Sequence, residues 1–157
     1  MAADEAPASA YLWFADYALR AMAGIVEQLG DDLANRAPEL QGANSPFAIL
    51  THCLGVTEYW AGATIAGREV QRDRAAEFIA RGDAGGLLER TEAARRRLHD
   101  DVAGIDSFAV PTHVVRDPDE PVPYTETKGA VLLHILEELF QHLGQMEITR
   151  DMLQARP

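Results

Sequence analysis

Apolar residues recur at three- and four-residue intervals through residues 8–29, at Leu12, Ala15, Leu19, Met22, Ile25 and Leu29. That spacing returns to one side of an α-helix, so the segment is predicted as an amphipathic helix ended by Gly30-Asp31-Asp32. The second apolar stretch, SPFAILTHCLGVTEYWAGATIAG, opens on Ser45-Pro46, a polar cap followed by proline at the first helical position. It predicts a helix over 46–66 with Gly67 as its C-cap. The charged stretch 68–81 has room for a short extra turn. Gly82, Gly85 and Gly86 break the chain before a third and most polar helix over 87–102. The connection 104–126 holds Pro111, Pro118, Pro121 and Pro123; its VPTHVV reads as a short strand and its DPDEP as a turn. A loop of that length inside a compact domain often carries function. The fourth helix is predicted over 127–153. Four helices with one long connection predict an all-α protein, an antiparallel four-helix bundle forming one domain over 1–157.

Composition narrows the function more than the fold. A net charge of −11 argues against nucleic acid as a partner, because phosphates attract lysine and arginine stripes. The one dense basic run, Arg95-Arg96-Arg97, is flanked by Glu89, Glu92, Asp100 and Asp101 and reads as a solvated helix face. No apolar run approaches the ~20 residues of a membrane span. The acidic start MAADEAPASA lacks the features of a signal peptide, and Cys53, the only cysteine, has no disulfide partner. Both point to the cytoplasm. Lys128 is the single lysine among 14 basic residues, a bias of the kind a GC-rich genome leaves.

The chemistry concentrates in GAVLLHILEELFQHLGQMEITRDML. His134, Glu138 and His142 stand four residues apart, a step that turns a helical side chain by only ~40°, so they form one stripe. Two imidazoles and a carboxylate among leucines are costly to bury without a partner, and a divalent metal is one such partner. Two histidines and a glutamate are an accepted zinc set. His52, well inside the second helix, can meet the stripe across a bundle core. The expected ligands are therefore His52, Glu138 and His142, with His134 one turn further along as a supporting or catalytic group. Spacing alone leaves a metal-free alternative open, in which His134 is hydrogen-bonded in the core, Glu138 pairs with an arginine and His142 lies near the surface. His99 reads as solvent-facing and His113 as a loop residue. Cys53 reads as packing rather than a nucleophile. Tyr59 and Trp60 are core candidates, with Trp60, two turns after His52, also a candidate pocket floor. The apolar stripe of the first helix suits core packing or a homodimer interface.

NSPFAILTHCLGVTEYW and AVLLHILEELFQHLGQMEITRDML also carry a family likeness. The chain resembles the DinB-like superfamily of metal-binding four-helix bundles, and within it the mycothiol-dependent branch of mycothiol S-transferases and the metal-binding domain of maleylpyruvate isomerase. In that branch a histidine follows the Ser-Pro helix start, here His52. A Glu-x-x-x-His element, then a glycine and an acidic residue, falls in the last helix, here Glu138, His142, Gly144 and Glu147. The departures are Gln145 where histidine is frequent, Glu147 where aspartate is common, and Glu138 in place of the first histidine of His-x-x-x-His. The last of these favours the mycothiol branch, as does the GC-rich bias, since mycothiol is an actinobacterial thiol. The resemblance implies a divalent metal, zinc foremost, and mycothiol as cosubstrate. It implies conjugation of a metal-activated thiolate to an electrophilic small molecule, a detoxification reaction. His134 would then assist proton transfer, and Trp60 and Tyr124 would line the thiol pocket. The alternatives are a mycothiol-dependent isomerase, whose relatives usually carry a further C-terminal domain where this chain stops at Pro157, and a non-catalytic metal-binding protein of the stress response.

Overall fold

The computed structural model describes residues 8–113 and 123–155. Helix α1 spans Ala8–Ala34, α2 Pro46–Thr57, α3 Arg74–Phe78, α4 Ala84–Val102 and α5 Lys128–Gln154. A π-helical segment, Glu58–Ile65, continues α2, and a 3₁₀ turn, Pro123–Thr125, precedes α5. The described residues contain no strand. The expectation of a strand at VPTHVV is therefore corrected over its described part, 110–113; its last two residues and the DPDEP turn lie outside the described residues. Thr112 donates its backbone N–H to the Thr64 carbonyl (2.8 Å) and its hydroxyl to that of Ile65 (3.0 Å). These bonds hold the connection against the end of the π segment, so no ladder forms.

Helix boundaries follow local chemistry. The first helix is predicted to end at Gly30-Asp31-Asp32; Gly30, at φ 65° and ψ −178° in a conformation that side chains resist, instead interrupts it, and a further turn carries α1 to Ala34. The short turn beyond it docks on α4: Asp31 accepts from the Ala84 N–H (2.7 Å), and Asn35 bonds both backbone groups of Gly82. Ser45 caps α2 and Thr127 caps α5 through their hydroxyls. Helix α4 begins earlier than expected, because the Asp83 side chain accepts from the Gly86 N–H. Gly85 and Gly86 thus lie inside its first turn, not before it.

The predicted stripe of α1 faces inward, with Ala15, Leu19, Met22, Ile25 and Leu29 buried, and so is not free to form a dimer surface. Helix α1 packs on α2, α4 and α5, and α2 also packs on α4 and α5. Nearly every residue of α2 is buried, which is why its neighbours His52 and Cys53 are both inside. Each fully buried Leu, Ile or Met contributes roughly 1.5–3 kcal/mol. One charged residue departs from the expected solvated face. Arg95 is not on a solvated face but 7% exposed, held by Asp16 at 2.7 Å and Glu92 at 2.8 Å. Arg96, Arg97 and His99 are exposed as expected. No helix among the described residues is long and apolar enough to cross a membrane.

Candidate metal centre

Helix α5 carries His134, Glu138 and His142 up one side, and α2 brings His52 to meet them. The His52 Nε2 lies 3.5 Å and the His142 Nε2 3.4 Å from the same oxygen, Glu138 Oε2. Their rings meet edge to face with centroids 4.8 Å apart, and one donor atom from each of the three residues fits within 4.8 Å of the others.

The protons decide what this arrangement can hold. His52 Nδ1 is 2.8 Å from Glu77 Oε2, and Arg72 grips that carboxylate at 2.7 and 3.0 Å. His142 Nδ1 is 2.8 Å from the amide oxygen of Gln145. Carboxylate and amide oxygens only accept, so each imidazole donates from Nδ1. In the neutral rings both Nε2 lone pairs then face Glu138 with no proton between. Such a site attracts positive charge. A proton is the alternative occupant to an ion: a ring protonated on Nε2 donates to Glu138, and such hydrogen bonds from His142 and His52 hold the Glu138 carboxyl far below the usual range, while the Glu138 carboxylate raises His142 against the opposing effect of burial. A divalent ion fits the donor set. Ligand bonds of about 2.0–2.1 Å around a tetrahedral ion separate donors by about 3.4 Å, close to the two separations present.

His134 sits one turn away, its Nε2 4.0 Å from the other Glu138 oxygen and its Nδ1 3.1 Å from Glu137. Tyr124 stacks on its ring at 3.9 Å between centroids, and Trp60 meets it edge-on at 5.0 Å. The three residues outside the expected ligand set thus form one aromatic group beside it. Trp60 reaches this group from the π segment, where i→i+5 bonding turns the chain less per residue than an α-helix does. Cys53 is 0% exposed, and burial, with Glu138 and Glu77 nearby, pushes its thiol far above the ordinary range, so it is no nucleophile. His113 and Glu147 are exposed.

Sequence reasoning missed three neighbours of His52. Glu77 and Phe78 come from α3, and Arg72 from just before it; Phe78 stacks on the His52 ring at 4.5 Å. Burial opposes ionisation of Glu77, but hydrogen bonds from Arg72 and His52 outweigh it and keep the carboxyl below its usual range. The charged 68–81 stretch has no apolar period to advertise this. The available signal was Gly55, a glycine inside an otherwise buried helix.

A family model described as mycothiol-S-transferase matches residues 12–155, which include every element around the centre: α2, the π segment, the α3 region, the 3₁₀ turn and α5. Neither a curated protein nor a solved structure matches the chain. By this match, and with the histidine and Glu-x-x-x-His elements in the expected order, the chain belongs to the mycothiol S-transferase family, in the mycothiol-dependent branch of the DinB-like proteins.

Proposed function

We propose that the chain is a single-domain antiparallel four-helix bundle that acts as a metal-dependent mycothiol S-transferase. The observation that carries this reading is the convergence of His52 Nε2 and His142 Nε2 on one oxygen of Glu138, with the Nδ1 of each ring beside an acceptor oxygen. His52, Glu138 and His142 would hold a divalent ion, with zinc foremost among the several that histidine and carboxylate donors suit. When bound, that ion supplies the positive charge that keeps a thiol ionised and reactive.

The chain's own residues have separate tasks. Glu77 and Gln145 fix the two imidazoles with Nε2 pointing inward. His134, beside the second Glu138 oxygen, is placed to take the thiol proton. Trp60 and Tyr124 form the wall against which the thiol or its electrophile rests. The mycothiol sulfur forms the new bond to the electrophilic carbon, and the displaced group leaves with its electron pair. With Cys53 sealed in the core, the nucleophilic sulfur has to come from the cosubstrate. The family assignment supports mycothiol as that cosubstrate, in a cytoplasmic detoxification reaction.

The test is conjugation of mycothiol to a fluorogenic haloalkyl electrophile by zinc-loaded protein. Turnover that chelation abolishes and zinc restores is expected. Stoichiometric zinc with no conjugation across several electrophile classes would sink the transferase reading in favour of a non-catalytic metal-binding protein. Conversion of maleylpyruvate would favour the isomerase.

A further inference from the structure

We infer that Glu77 is a positioning residue for the metal centre, held by Arg72 and admitted by Gly55, and that it sets metal affinity by fixing the proton of His52 on Nδ1. This inference rests on the metal-centre reading above and extends it to groups that touch neither ion nor substrate.

Three observations carry it. First, Glu77 Oε2 lies 2.8 Å from His52 Nδ1, nearer than the other polar neighbour of that nitrogen, Arg72 Nη2, at 3.4 Å. The carboxylate is therefore the acceptor for the ring proton. Second, Glu77 cannot turn away easily. Its side chain is 9% exposed, its two oxygens are bound by Arg72 Nε and Nη2, and Asp73 caps the short helix that carries it. Third, α2 makes room for this pair at one residue. A Cβ on Gly55 would stand 2.6 Å from the Glu77 carboxyl carbon and 3.2 Å from Arg72 Nε. A larger residue there would force the carboxylate, Arg72 or α2 itself to shift and so disturb the contact with His52, although Gly55 lies three positions from the ligand. A carboxylate that accepts from the far nitrogen of a ligand histidine holds the ring angle and makes the near nitrogen a better donor.

The experiment uses the full chain and zinc alone. Nitrogen NMR of metal-free wild type reads the His52 tautomer. Competition with a chromophoric chelator reads the zinc Kd of wild type, Glu77→Gln, Glu77→Ala, Gly55→Ala and His142→Ala. The expected result is an Nδ1-protonated His52 and zinc binding weakened about 10–100-fold in the Glu77 variants, least in Glu77→Gln, which keeps an acceptor oxygen. Gly55→Ala is expected to weaken zinc in the same direction with Glu77 intact. A merely structural role would lower stability without moving the tautomer or the Kd. The inference is overturned if the Glu77 variants bind zinc as tightly as wild type while His142→Ala loses it. It is also overturned if wild-type His52 carries its proton on Nε2, a readout that needs no variant to fold. If wild type takes no zinc, or His142→Ala binds it as tightly as wild type, the metal-centre reading fails and this inference goes with it.

Discussion

Two regions of the molecule bring histidine to a carboxylate, and they are opposites. On the outer side of α1 and α4, each oxygen of Asp16 has its own donor: Arg95 Nε at 2.7 Å and His99 Nε2 at 2.9 Å. These are charge-assisted hydrogen-bond lengths, and every partner is used. Between α2 and α5, two imidazoles share one oxygen of Glu138 at 3.4 and 3.5 Å, and the far nitrogen of each ring already has an acceptor oxygen of its own. The first is a closed ion-pair network, and the second is a set of donors facing one another. Residue types alone do not separate them. The partners of each imidazole nitrogen and their distances do.

The widest separation should come from metal content. His142→Ala and Glu138→Ala are expected to lose stoichiometric zinc, while Asp16→Asn keeps it, as read by elemental mass spectrometry on folded protein. Equal zinc in all three would erase the contrast. Next in size is stability. Asp16→Ala leaves the buried Arg95 guanidinium with Glu92 alone, and is expected to cost about 2–3 kcal/mol in denaturant unfolding. A change within error would mean that solvent already satisfies Arg95.

The smallest effect, and the sharpest in sign, is pH dependence. Burial opposes the ionisation of Asp16, but Arg95 and His99 outweigh it and set its pKa below the ordinary 3.8. A depressed carboxyl contributes stability that is complete above its unfolded pKa and is lost as pH falls through the folded one, so this region weakens only in strong acid. His142 is raised above 6.5 by Glu138. Its contribution in metal-free protein is complete below 6.5 and is lost as pH rises through the folded value. Metal-free protein is therefore expected to lose Tm slightly from pH 6 to 8, with His142→Ala flattening the slope. Zinc should reverse the sign, because neutral imidazoles bind metal. Scanning calorimetry with and without zinc reads both directions.

Much of the framework was legible in the chain. The three-and-four spacing of α1, the Ser45-Pro46 start, Gly67 after the second helix and the i,i+4 stripe of α5 each express one local rule, and each appears where that rule puts it. His52 meeting the stripe was legible because both segments are apolar enough to be core. What escaped depends on contacts between distant residues. Glu77 lies 25 positions from His52 in a charged stretch that offers only room for a short extra turn, and the charged neighbours of Arg95 mask its buried helix face. The π winding of Glu58–Ile65 leaves no mark in composition, and it decides that Trp60 meets Tyr124 and His134. Gln145, read as a departure from relatives, holds the Nδ1 proton of His142.

The sealing of Cys53 has a consequence for the protein's own survival. A protein with the proposed function would be exposed to alkylation by the electrophiles it gathers. Here the single thiol is protonated and out of reach, and Lys128, the one lysine, is half-buried at the start of α5. The thiol and the lysine amine that the reagent could consume are thus withheld or scarce. At the proposed centre, the sulfur of the incoming thiol has no competitor from the chain.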